Sequence, residues 1–246
     1  MSDLRIKEAG VTGDERKKYV TQMFNSVARR YDFLNHFLSG GIDILWRKKA
    51  SKLLPLTKES VHLDLATGTG DFAIEINKRY GCQVYGSDIS EGMLNVGKQK
   101  IAHLGKVHEI FLEIADAEHI PHNNNTFDSV TIGFGIRNFG DKEKALREIL
   151  RVLKPGGKLV ILEFSKIRTP IIGQLFEFYF KHILPKIGAL FSDDKDAYTY
   201  LPDSVNTFPA QPDFVEMMKK NGFETAGYKN YSFGISSVFW GEKALV

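Results

Sequence analysis

The sequence "DLATGTGD", Asp64 to Asp71, contains two glycines that stand one residue apart. The apolar run before it, residues 60–66, predicts a buried strand, and residues 71–80 predict a helix. A glycine-rich turn between a strand and a helix is typical of loops that hold a nucleotide-like cofactor. The stretch therefore predicts both an α/β fold and a cofactor site.

The alternation of strands and helices continues after this loop. Further strands are predicted at residues 82–88, 109–115, 127–134 and 157–164, and further helices at 91–101 and 141–153. Strands that alternate with helices imply crossover units and a mostly parallel sheet covered on both faces. Residues 211–223 predict a helix that Gly222 stops, and the segment after it predicts two strands that turn near Asn230. We therefore expect a doubly wound, Rossmann-like α/β domain with seven strands and an antiparallel C-terminal hairpin.

Composition limits the class of protein. The chain has 246 residues, 43% hydrophobic and 26% charged, which is the mix of a soluble globular protein. A net charge of +3 is too weak to indicate nucleic acid as a partner. The single cysteine, Cys82, excludes an internal disulfide and a cysteine zinc site, and it fits a reducing compartment. With no long uncharged apolar run and no metal-ligand cluster, we expect a cytoplasmic chain without a metal site.

The glycine loop alone does not identify its cofactor. "GTGDFA" satisfies the dinucleotide pattern, and Asp88 follows 18 positions after Gly70, as in proteins that bind NAD. A dinucleotide, however, places its pyrophosphate at the start of the following helix. Carboxylates at Asp64 and Asp71, on either side of the loop, would repel that anion. The charge pattern therefore favours a cofactor with positive charge and no phosphate, and S-adenosylmethionine (SAM) is such a cofactor.

Each acidic residue after a predicted strand then has a place on SAM. Gly68 and Gly70 let the backbone approach the amino-acid part. Asp88 is expected to accept both ribose hydroxyls, and Asp116 to reach the adenine amine, with a backbone contact from Ala117. Each acid also has a plainer interpretation: Asp71 as a helix N-cap, Asp88 as a cap of the next helix, and Asp116 as a turn residue. These alternatives stay open on the sequence alone.

Several longer segments resemble one family. They are "DLATGTGD", "GSDIS", "ADAEHIP", "FDSVTIGFGIRNFGD", "RVLKPGGKLVILEFS" (Arg151 to Ser165) and "YDFLNHFLSGGIDILW" (Tyr31 to Trp46). Together they resemble class I SAM-dependent methyltransferases and, more narrowly, the UbiE/MenG-type ubiquinone/menaquinone C-methyltransferases. The chain departs from this pattern at Leu34, where methionine is usual, and at Asp43, where histidine is usual.

The resemblance implies roles for individual residues. It assigns SAM contacts to Thr69, Asp88, Asp116 and Ala117. It places Gly133 where a serine is common, so a side-chain contact there is lost. It assigns Arg137 and Asn138 to the substrate pocket, and Tyr31 and Asp32 are expected to close over SAM. The alternative for Arg137 is an ion pair with Asp141 or another nearby acid that holds the loop.

The resemblance also implies a division of the chain and a reaction. We expect an N-terminal helical cap (14–54), a SAM-binding core (60–165), a helical lid insertion over the substrate (166–210) and a C-terminal helix with the hairpin (211–246). The implied reaction converts demethylmenaquinol and SAM into menaquinol and S-adenosylhomocysteine. A ubiquinone precursor, 2-methoxy-6-polyprenyl-1,4-benzoquinol, or another apolar acceptor stays an alternative. The apolar segment 171–191 suggests transient contact at the inner face of the membrane, and a homodimer is left open.

Overall fold

The fold is built on one seven-stranded sheet with the order β3-β2-β1-β4-β5-β7-β6. The structure is a computed structural model, and it describes residues 13–166 and 196–245. Its strands are β1 (Val61–Leu65), β2 (Gln83–Asp88), β3 (Ile110–Ile114), β4 (Phe127–Gly133), β5 (Leu153–Phe164), β6 (Thr225–Tyr231) and β7 (Ser236–Glu242). The first five pair in parallel, and β7 runs antiparallel between β5 and β6. This topology confirms the predicted fold class.

Helices cover both faces of the sheet. They are α1 (Gly13–Leu38), α2 (Ile42–Ser51), α3 (Asp71–Tyr80), α4 (Glu91–His103), α5 (Lys142–Val152), α6 (Asp196–Thr207) and α7 (Gln211–Lys220). A short 3-10 turn, Ile136–Asn138, follows β4. Helix α5 presents an apolar stripe that includes Leu146 and Ile149, and both side chains are fully buried.

Strand β5 shows how one strand serves two core layers. Leu159 and Ile161 belong to the layer that includes α5 and α7, whereas Val160 and Leu162 belong to the layer that includes α2 and α3. Successive side chains of a strand point to opposite faces, so a strand buried on both sides is apolar throughout. This explains why the run "KLVILEF" carries no alternation of polar and apolar residues.

The parallel arrangement brings all the predicted site segments to one edge. The loops that follow β1, β2, β3 and β4 start at the carboxyl ends of their strands, and parallel neighbours share that edge. The N-terminal helix α1 contacts α4 and reaches the same edge. The sheet therefore gathers residues that are far apart in the sequence into one place.

Three predicted element boundaries differ from the structure. The hairpin does not turn at Asn230, which lies within β6, but at residues 232–235. The fifth strand begins at Leu153 and not after "KPGG", because Leu153 pairs with Phe127 across a register shift. The apolar spacing of residues 14–30 predicts a helix over that range, whereas α1 extends to Leu38. The apolar segment 171–191 and most of the predicted lid lie outside the described residues, although α6 falls within the predicted lid range.

Candidate functional site

A cavity lies at the carboxyl edge of the sheet and is covered by α1. Its lining combines the glycine loop, the ends of β2 to β4 and the inner face of α1. The predicted site residues that line it are Tyr31, Gly68, Asp88, Asp116, Ala117, Gly133 and Asn138. Thr69, Gly70, Asp64 and Arg137 are not among its lining residues. The structure therefore brings most of the predicted residues together and places the other four behind the cavity.

The glycine loop owes its shape to backbone conformations that glycine adopts readily. Gly68 has φ +58° and Gly70 has φ +83°, both in the left-handed region. A Cβ on Gly68 would lie 3.2 Å from the Met93 methyl carbon, so there is little room for a side chain. Gly70 is the N-cap of α3, and no side chain caps that helix. The alternative in which Asp71 caps α3 is therefore wrong.

Asp64 supports the loop from inside the sheet. Its carboxylate accepts hydrogen bonds from the hydroxyls of Thr67 and Thr131, each 2.6 Å long. The side chain is fully buried, and burial raises the pKa of Asp64 to about 6 against the opposing effect of these two donors. Asp64 thus fixes Thr67, and with it the turn of the loop. Direct contact between Asp64 and a cofactor stays a prediction.

The support extends to a histidine that the sequence reading overlooked. Thr131 gives its proton to Asp64, so its oxygen accepts from His62 Nε2, 2.8 Å away. The other ring nitrogen of His62, Nδ1, then accepts from the Ser129 hydroxyl at 2.6 Å. Burial lowers the pKa of His62 to about 3, which keeps the ring neutral. One hydrogen-bonded chain, from Ser129 through the neutral His62 ring and Thr131 to the Asp64 carboxylate, therefore links β1 and β4 beneath the loop.

Asp88 is oriented by backbone donors. Its Oδ2 accepts the Gly68 N–H at 2.8 Å, and its Oδ1 accepts the Ser90 N–H at 2.9 Å. Burial raises the pKa of Asp88 above its ordinary value, and these hydrogen bonds oppose that rise. The N-cap of α4 is Ser90, so Asp88 does not itself cap the helix. Because each carboxylate oxygen has two lone pairs, Asp88 can still accept two hydroxyls from the cavity.

Asp116 is paired with a lysine from the covering helix. Lys17 Nζ lies 2.8 Å from Asp116 Oδ2 and 2.6 Å from Glu118 Oε2. Asp116 Oδ1 also accepts the Glu118 N–H, so the turn interpretation of Asp116 is correct as well. Burial raises the pKa of Asp116, but the hydrogen bonds from Lys17 and Glu118 outweigh it, and the net pKa is lowered. The ammonium of Lys17 thus lies at the carboxylate that the sequence assigned to adenine.

The charge argument from the sequence needs a correction. Asp71 does not line the cavity, because its carboxylate is bound by Lys100 and lies 3.8 Å from Arg47. Asp64, too, faces the sheet interior. The carboxylates that do line the cavity are Asp88, Asp116 and Glu118. The cavity lining therefore carries three carboxylates against the ammonium of Lys17, and this acidity comes from the ends of β2 and β3 and not from the two aspartates of the loop.

Lys100 also joins the glycine loop to α1. Its ammonium lies 2.7 Å from Asp32 Oδ2, and Asp32 accepts a further hydrogen bond from the Thr69 hydroxyl. The Thr69 side chain is therefore engaged in this link and is almost fully buried. Its contact with a cofactor stays a prediction. Asp32 acts through Thr69 and Lys100, since it does not line the cavity.

Asp43, which replaces the histidine usual in the family, is a buried member of an ion-pair cluster. It accepts from Ser39 at 2.7 Å, pairs with Arg47 and lies 2.9 Å from His36 Nδ1. Burial raises the pKa of Asp43, but its polar partners reverse the effect and the net pKa is lowered. His36 Nε2 lies 3.5 Å from Asp71. An imidazole is thus present beside position 43, and α1 supplies it.

Arg137 is a buried ion-pair partner behind the cavity. Its Nη1 lies 2.8 Å from Glu163 Oε1, and its Nε donates to Ser204 Oγ at 3.2 Å. Its guanidinium lies 5.7 Å from the ring centre of Phe164. The nearby acid is therefore Glu163, at the end of β5, and not Asp141, which caps α5. A catalytic role for Arg137 stays a prediction, and it would have to act from this buried position.

Asn138 and Tyr31 both line the cavity. Tyr200 of α6 donates its hydroxyl to Asn138 Oδ1 at 2.9 Å, which orients the amide. Tyr31 of α1 packs edge-on against Phe24, with the ring centres 5.8 Å apart. Burial raises the pKa of Tyr31, so its phenol stays protonated at neutral pH. Tyr200 therefore contacts a predicted site residue.

The sequence reading missed Lys17, Glu118 and Glu163. Lys17 precedes Asp116 by 99 residues, and no motif connects the two. Glu118 could have been noticed, because it stands two residues after Asp116 in "ADAEHIP". Glu163 lies inside an apolar strand, where a lone acid is unusual unless it is paired.

In the described part of the chain, no helix is both long enough and apolar enough to cross a membrane. In the same residues, no three His, Cys, Asp or Glu side chains gather in a way that could hold a metal ion.

Comparison with known sequences gives a consistent result. A sequence model described as the ubiE/COQ5 methyltransferase family matches residues 11–243. The ubiquinone/menaquinone biosynthesis C-methyltransferase UbiE of Geobacter sulfurreducens is 46% identical over 94% of this chain and 91% of its own length. The demethylmenaquinone methyltransferase of Deinococcus radiodurans is 44% identical over 94% of this chain and 96% of its own length.

Comparison with solved structures concerns the fold. A SAM-dependent methyltransferase from Thermotoga maritima superposes with a TM-score of 0.66 and 22% sequence identity. The match covers 91% of this chain and 99% of the other. At this identity the similarity shows a shared fold and nothing more specific.

Proposed function

The chain belongs to the ubiE/COQ5 methyltransferase family, and from this premise we propose that it transfers a methyl group from SAM to a ring carbon of a reduced polyprenyl quinone precursor. The acceptor is demethylmenaquinol, and the product is menaquinol. A ubiquinone precursor is the second candidate, because the relatives named UbiE carry both quinones in their names. The NAD alternative is set aside, because family membership supports a methyl donor.

The observation that carries the proposal is the acidic cavity beside the glycine loop. Asp88 and Asp116 line it at the ends of β2 and β3, and Gly68 contributes exposed backbone. SAM has a sulfonium, an ammonium group and a ribose diol, which suit carboxylate acceptors, and it has no phosphate for them to repel. The residues present therefore fit this cofactor.

The binding roles follow from the hydrogen bonds that are already made. Asp88 is locked by two backbone N–H groups and accepts the ribose hydroxyls with its remaining lone pairs. Asp116 accepts the adenine amine once Lys17 moves to Glu118, which lies within reach of the same ammonium. Ala117 supplies backbone contact, Gly133 lines the wall and Tyr31 closes it. Thr69, Asp64 and Gly70 hold the loop in shape.

SAM supplies an activated methyl group, so the chain's own task is to position the acceptor and manage its protons. Holding the two reactants in line accounts for roughly 7–11 kcal/mol of barrier lowering in favourable systems. Asn138, oriented by Tyr200, faces the cavity and positions a quinol hydroxyl. The quinol hydroxyl first loses its proton to water or to a base within the cavity. Arg137 stays protonated and is not that base, so its role is to stabilise the resulting oxyanion until the ring carbon takes the methyl group. The ring proton then leaves, and the oxygen is protonated again.

The remaining features of the proposal concern the whole chain. We assign residues 14–54 to a cap, 60–165 to the SAM-binding core, 166–210 to a substrate lid and 211–246 to the C-terminal helix and hairpin. The protein works in the cytoplasm and contacts the membrane peripherally and transiently, because its acceptor dissolves there. A homodimer is compatible with this scheme but is not required by it.

Methyl transfer from labelled SAM to a short-tailed demethylmenaquinol, under anaerobic reducing conditions, tests the proposal. The oxidised quinone and a short-tailed ubiquinol precursor are run in parallel. We expect transfer to the reduced ring only, because its hydroxyls push electrons into the ring. Transfer to the ubiquinol precursor alone would move the chain to that pathway. Bound SAM without transfer to either quinol would refute the acceptor class.

A further inference from the structure

The tip of the β6–β7 hairpin presents an aromatic side chain to solvent. Phe233 is 78% exposed, and Ser232, Phe233 and Gly234 have φ values of +46°, +59° and +92°. Residues with side chains adopt such conformations rarely, and they persist where the surroundings fix them. Here the Trp46 indole donates to Ser232 Oγ at 3.0 Å. The structure thus holds Phe233 outward in an unfavourable backbone conformation.

The neighbouring helix α2 exposes both apolar residues and lysines on its outward face. Its first turn exposes Ile44 and Leu45, at 39% and 55% of their full area. Its last turn and the residue after it expose Lys48, Lys49 and Lys52. Exposed apolar residues next to exposed lysines are a combination that suits the interface of an anionic membrane, where apolar groups insert and lysines meet the head groups.

Helix α2 and the hairpin tip form one surface. Besides the Trp46 contact, the Lys49 ammonium lies 5.8 Å from the ring centre of Tyr231, next to the tip. A groove between them is lined by Lys49, Lys52, Lys229 and Ser232. We name this region the α2–tip surface; it comprises Ile44, Leu45, Lys48, Lys49, Lys52, Lys229 and Phe233.

The lysines of the α2–tip surface leave it positively charged. Among residues 13–166 and 196–245, no ion pair involves Lys48, Lys49, Lys52 or Lys229. By contrast, Lys158, which lines the same groove, is paired with Glu242 at 2.8 Å. The surface is therefore complementary to an extended anionic partner.

The α2–tip surface lies at the functional edge of the sheet. Ser236, just after the tip, pairs with Phe164 at the carboxyl end of β5. The Trp46 ring lies 6.2 Å from the rings of both Phe134 and Phe164, and Phe134 lines the cavity. A partner seated on this surface would therefore lie close to the site that receives the acceptor.

We propose that the α2–tip surface docks this chain on the face of an anionic lipid bilayer. Phe233 and Leu45 enter the interface between head groups and acyl chains, and the lysines attract anionic head groups. The inference rests on the proposed function, because a prenylated quinol is dissolved in the bilayer and must be reached there. A soluble polyanion would use the lysines alone and would leave the exposure of Leu45 and Phe233 without a purpose.

Vesicle sedimentation of the full chain tests the proposal. Vesicles of phosphatidylcholine mixed with phosphatidylglycerol are compared with vesicles of phosphatidylcholine alone. The test variants are Leu45→Ser/Phe233→Asn and Lys49→Glu/Lys52→Glu, with asparagine chosen because it tolerates the left-handed conformation. The matched controls are Leu104→Ser/Ile114→Thr and Lys78→Glu/Lys98→Glu, which change side chains that are exposed elsewhere.

We expect binding to the anionic vesicles, a loss of about tenfold or more in each test variant and no loss in the controls. Turnover of a short-tailed acceptor without vesicles should not change in any of the four variants. Equal binding of test and control variants would overturn the proposal. So would competition by inorganic pyrophosphate with no effect of Leu45→Ser/Phe233→Asn, which would assign the lysines to a soluble anion. Absence of turnover in the wild type would count against the proposed function and leave the vesicle result to be judged separately.

Discussion

The contacts of single side chains in this site differ from those that their positions in the sequence suggest. Asp64 and Asp71 flank the glycine loop, yet one faces a threonine pair inside the sheet and the other faces lysine and arginine. Asp88, at the end of the next strand, does line the cavity. A residue that follows a strand can be predicted to lie at the edge of the sheet. The direction in which its side chain points depends on partners that are distant in the sequence.

Replacing Asp88 should weaken cofactor binding specifically. Asp88→Asn replaces one acceptor oxygen by an NH2 donor, so one of the two charge-assisted hydrogen bonds to ribose is lost. At about 1.5–3 kcal/mol for a bond to a charged group, the Kd for SAM should rise by roughly one to two orders of magnitude. Calorimetric titration measures it. Asp128→Asn, at the opposite end of β4 and paired with Lys154, is the matched control. An unchanged Kd in Asp88→Asn would remove Asp88 from the site.

Arg137 poses a harder problem, because it is buried with Glu163. Arg137→Ala should lower turnover far more than SAM affinity, but it also leaves Glu163 buried without its ion pair, at a cost of about 3–5 kcal/mol. The double variant Arg137→Met/Glu163→Gln removes both charges and should recover most of that stability in urea unfolding. Its turnover should stay low. Recovered turnover in the double variant would show that Arg137 only holds the loop.

At the scale of elements, most helices and strands could be predicted within about two residues, because their apolar periods are regular. The exceptions have physical causes. The hairpin turn was misplaced because Ser232 and Phe233 adopt left-handed backbone conformations although neither is a glycine or an asparagine. Strand β5 starts early because Leu153 pairs with β4, a tertiary contact that overrides the "KPGG" turn residues. Helix α1 continues past residue 30 because its next turn is held in place: Asp32 bonds to Thr69 of the glycine loop, and Tyr31 lines the cavity.

The free energy of unfolding should depend on pH through His62, which links β1 to β4. Its pKa of about 3 in the folded chain lies below the ordinary 6.5, so stability is complete above pH 6.5 and is lost as the pH falls. Between pH 6.5 and 4.5 the loss should be about 2.3 kcal/mol. Asp64, with its pKa raised to about 6, acts in the opposite direction, because its protonated form is favoured in the folded state.

Comparing wild type with His62→Gln by urea unfolding at several pH values cancels the part that Asp64 contributes. The variant should gain stability relative to wild type as the pH falls from 6.5 to 4.5. His108→Gln, on an exposed loop, is the matched control. A stability difference that does not vary with pH would show that His62 is not held neutral.

The contact between α1 and α2 should tolerate an exchange of its charges only in part. Asp43→His alone places two imidazoles together and removes one of the two carboxylates beside Arg47, so unfolding should become easier by about 1–3 kcal/mol. The exchange His36→Asp/Asp43→His restores opposite charges across the same pair, but it brings a carboxylate to Asp71 and an imidazole to Arg47, so it should recover only part of this loss. Urea unfolding measures both variants. If the double variant is no more stable than Asp43→His, the two positions do not form an interchangeable pair.

At the scale of the whole molecule, one sheet edge joins residues from α1 to β5 in a single site, so a bound cofactor should stabilise the entire fold. A ligand at 100 times its Kd adds about 2.7 kcal/mol to the free energy of unfolding. For a chain of this size we expect the Tm to rise by roughly 5–10 °C with SAM or S-adenosylhomocysteine. NAD at the same concentration should not raise it. Scanning calorimetry or dye-based melting distinguishes these outcomes, and a shift with NAD alone would overturn the assignment of the cofactor.

The ion pair between Lys17 and Asp116 ties the occupancy of the site to the position of the first helix. When adenine takes Asp116, Glu118 remains beside it as a second acceptor, so the ammonium can transfer to it without leaving the site. The helix can therefore stay closed over a filled cavity. Dissociation of the spent cofactor would then require α1 to move away from the cavity. The rate of this movement would limit each round of cofactor exchange.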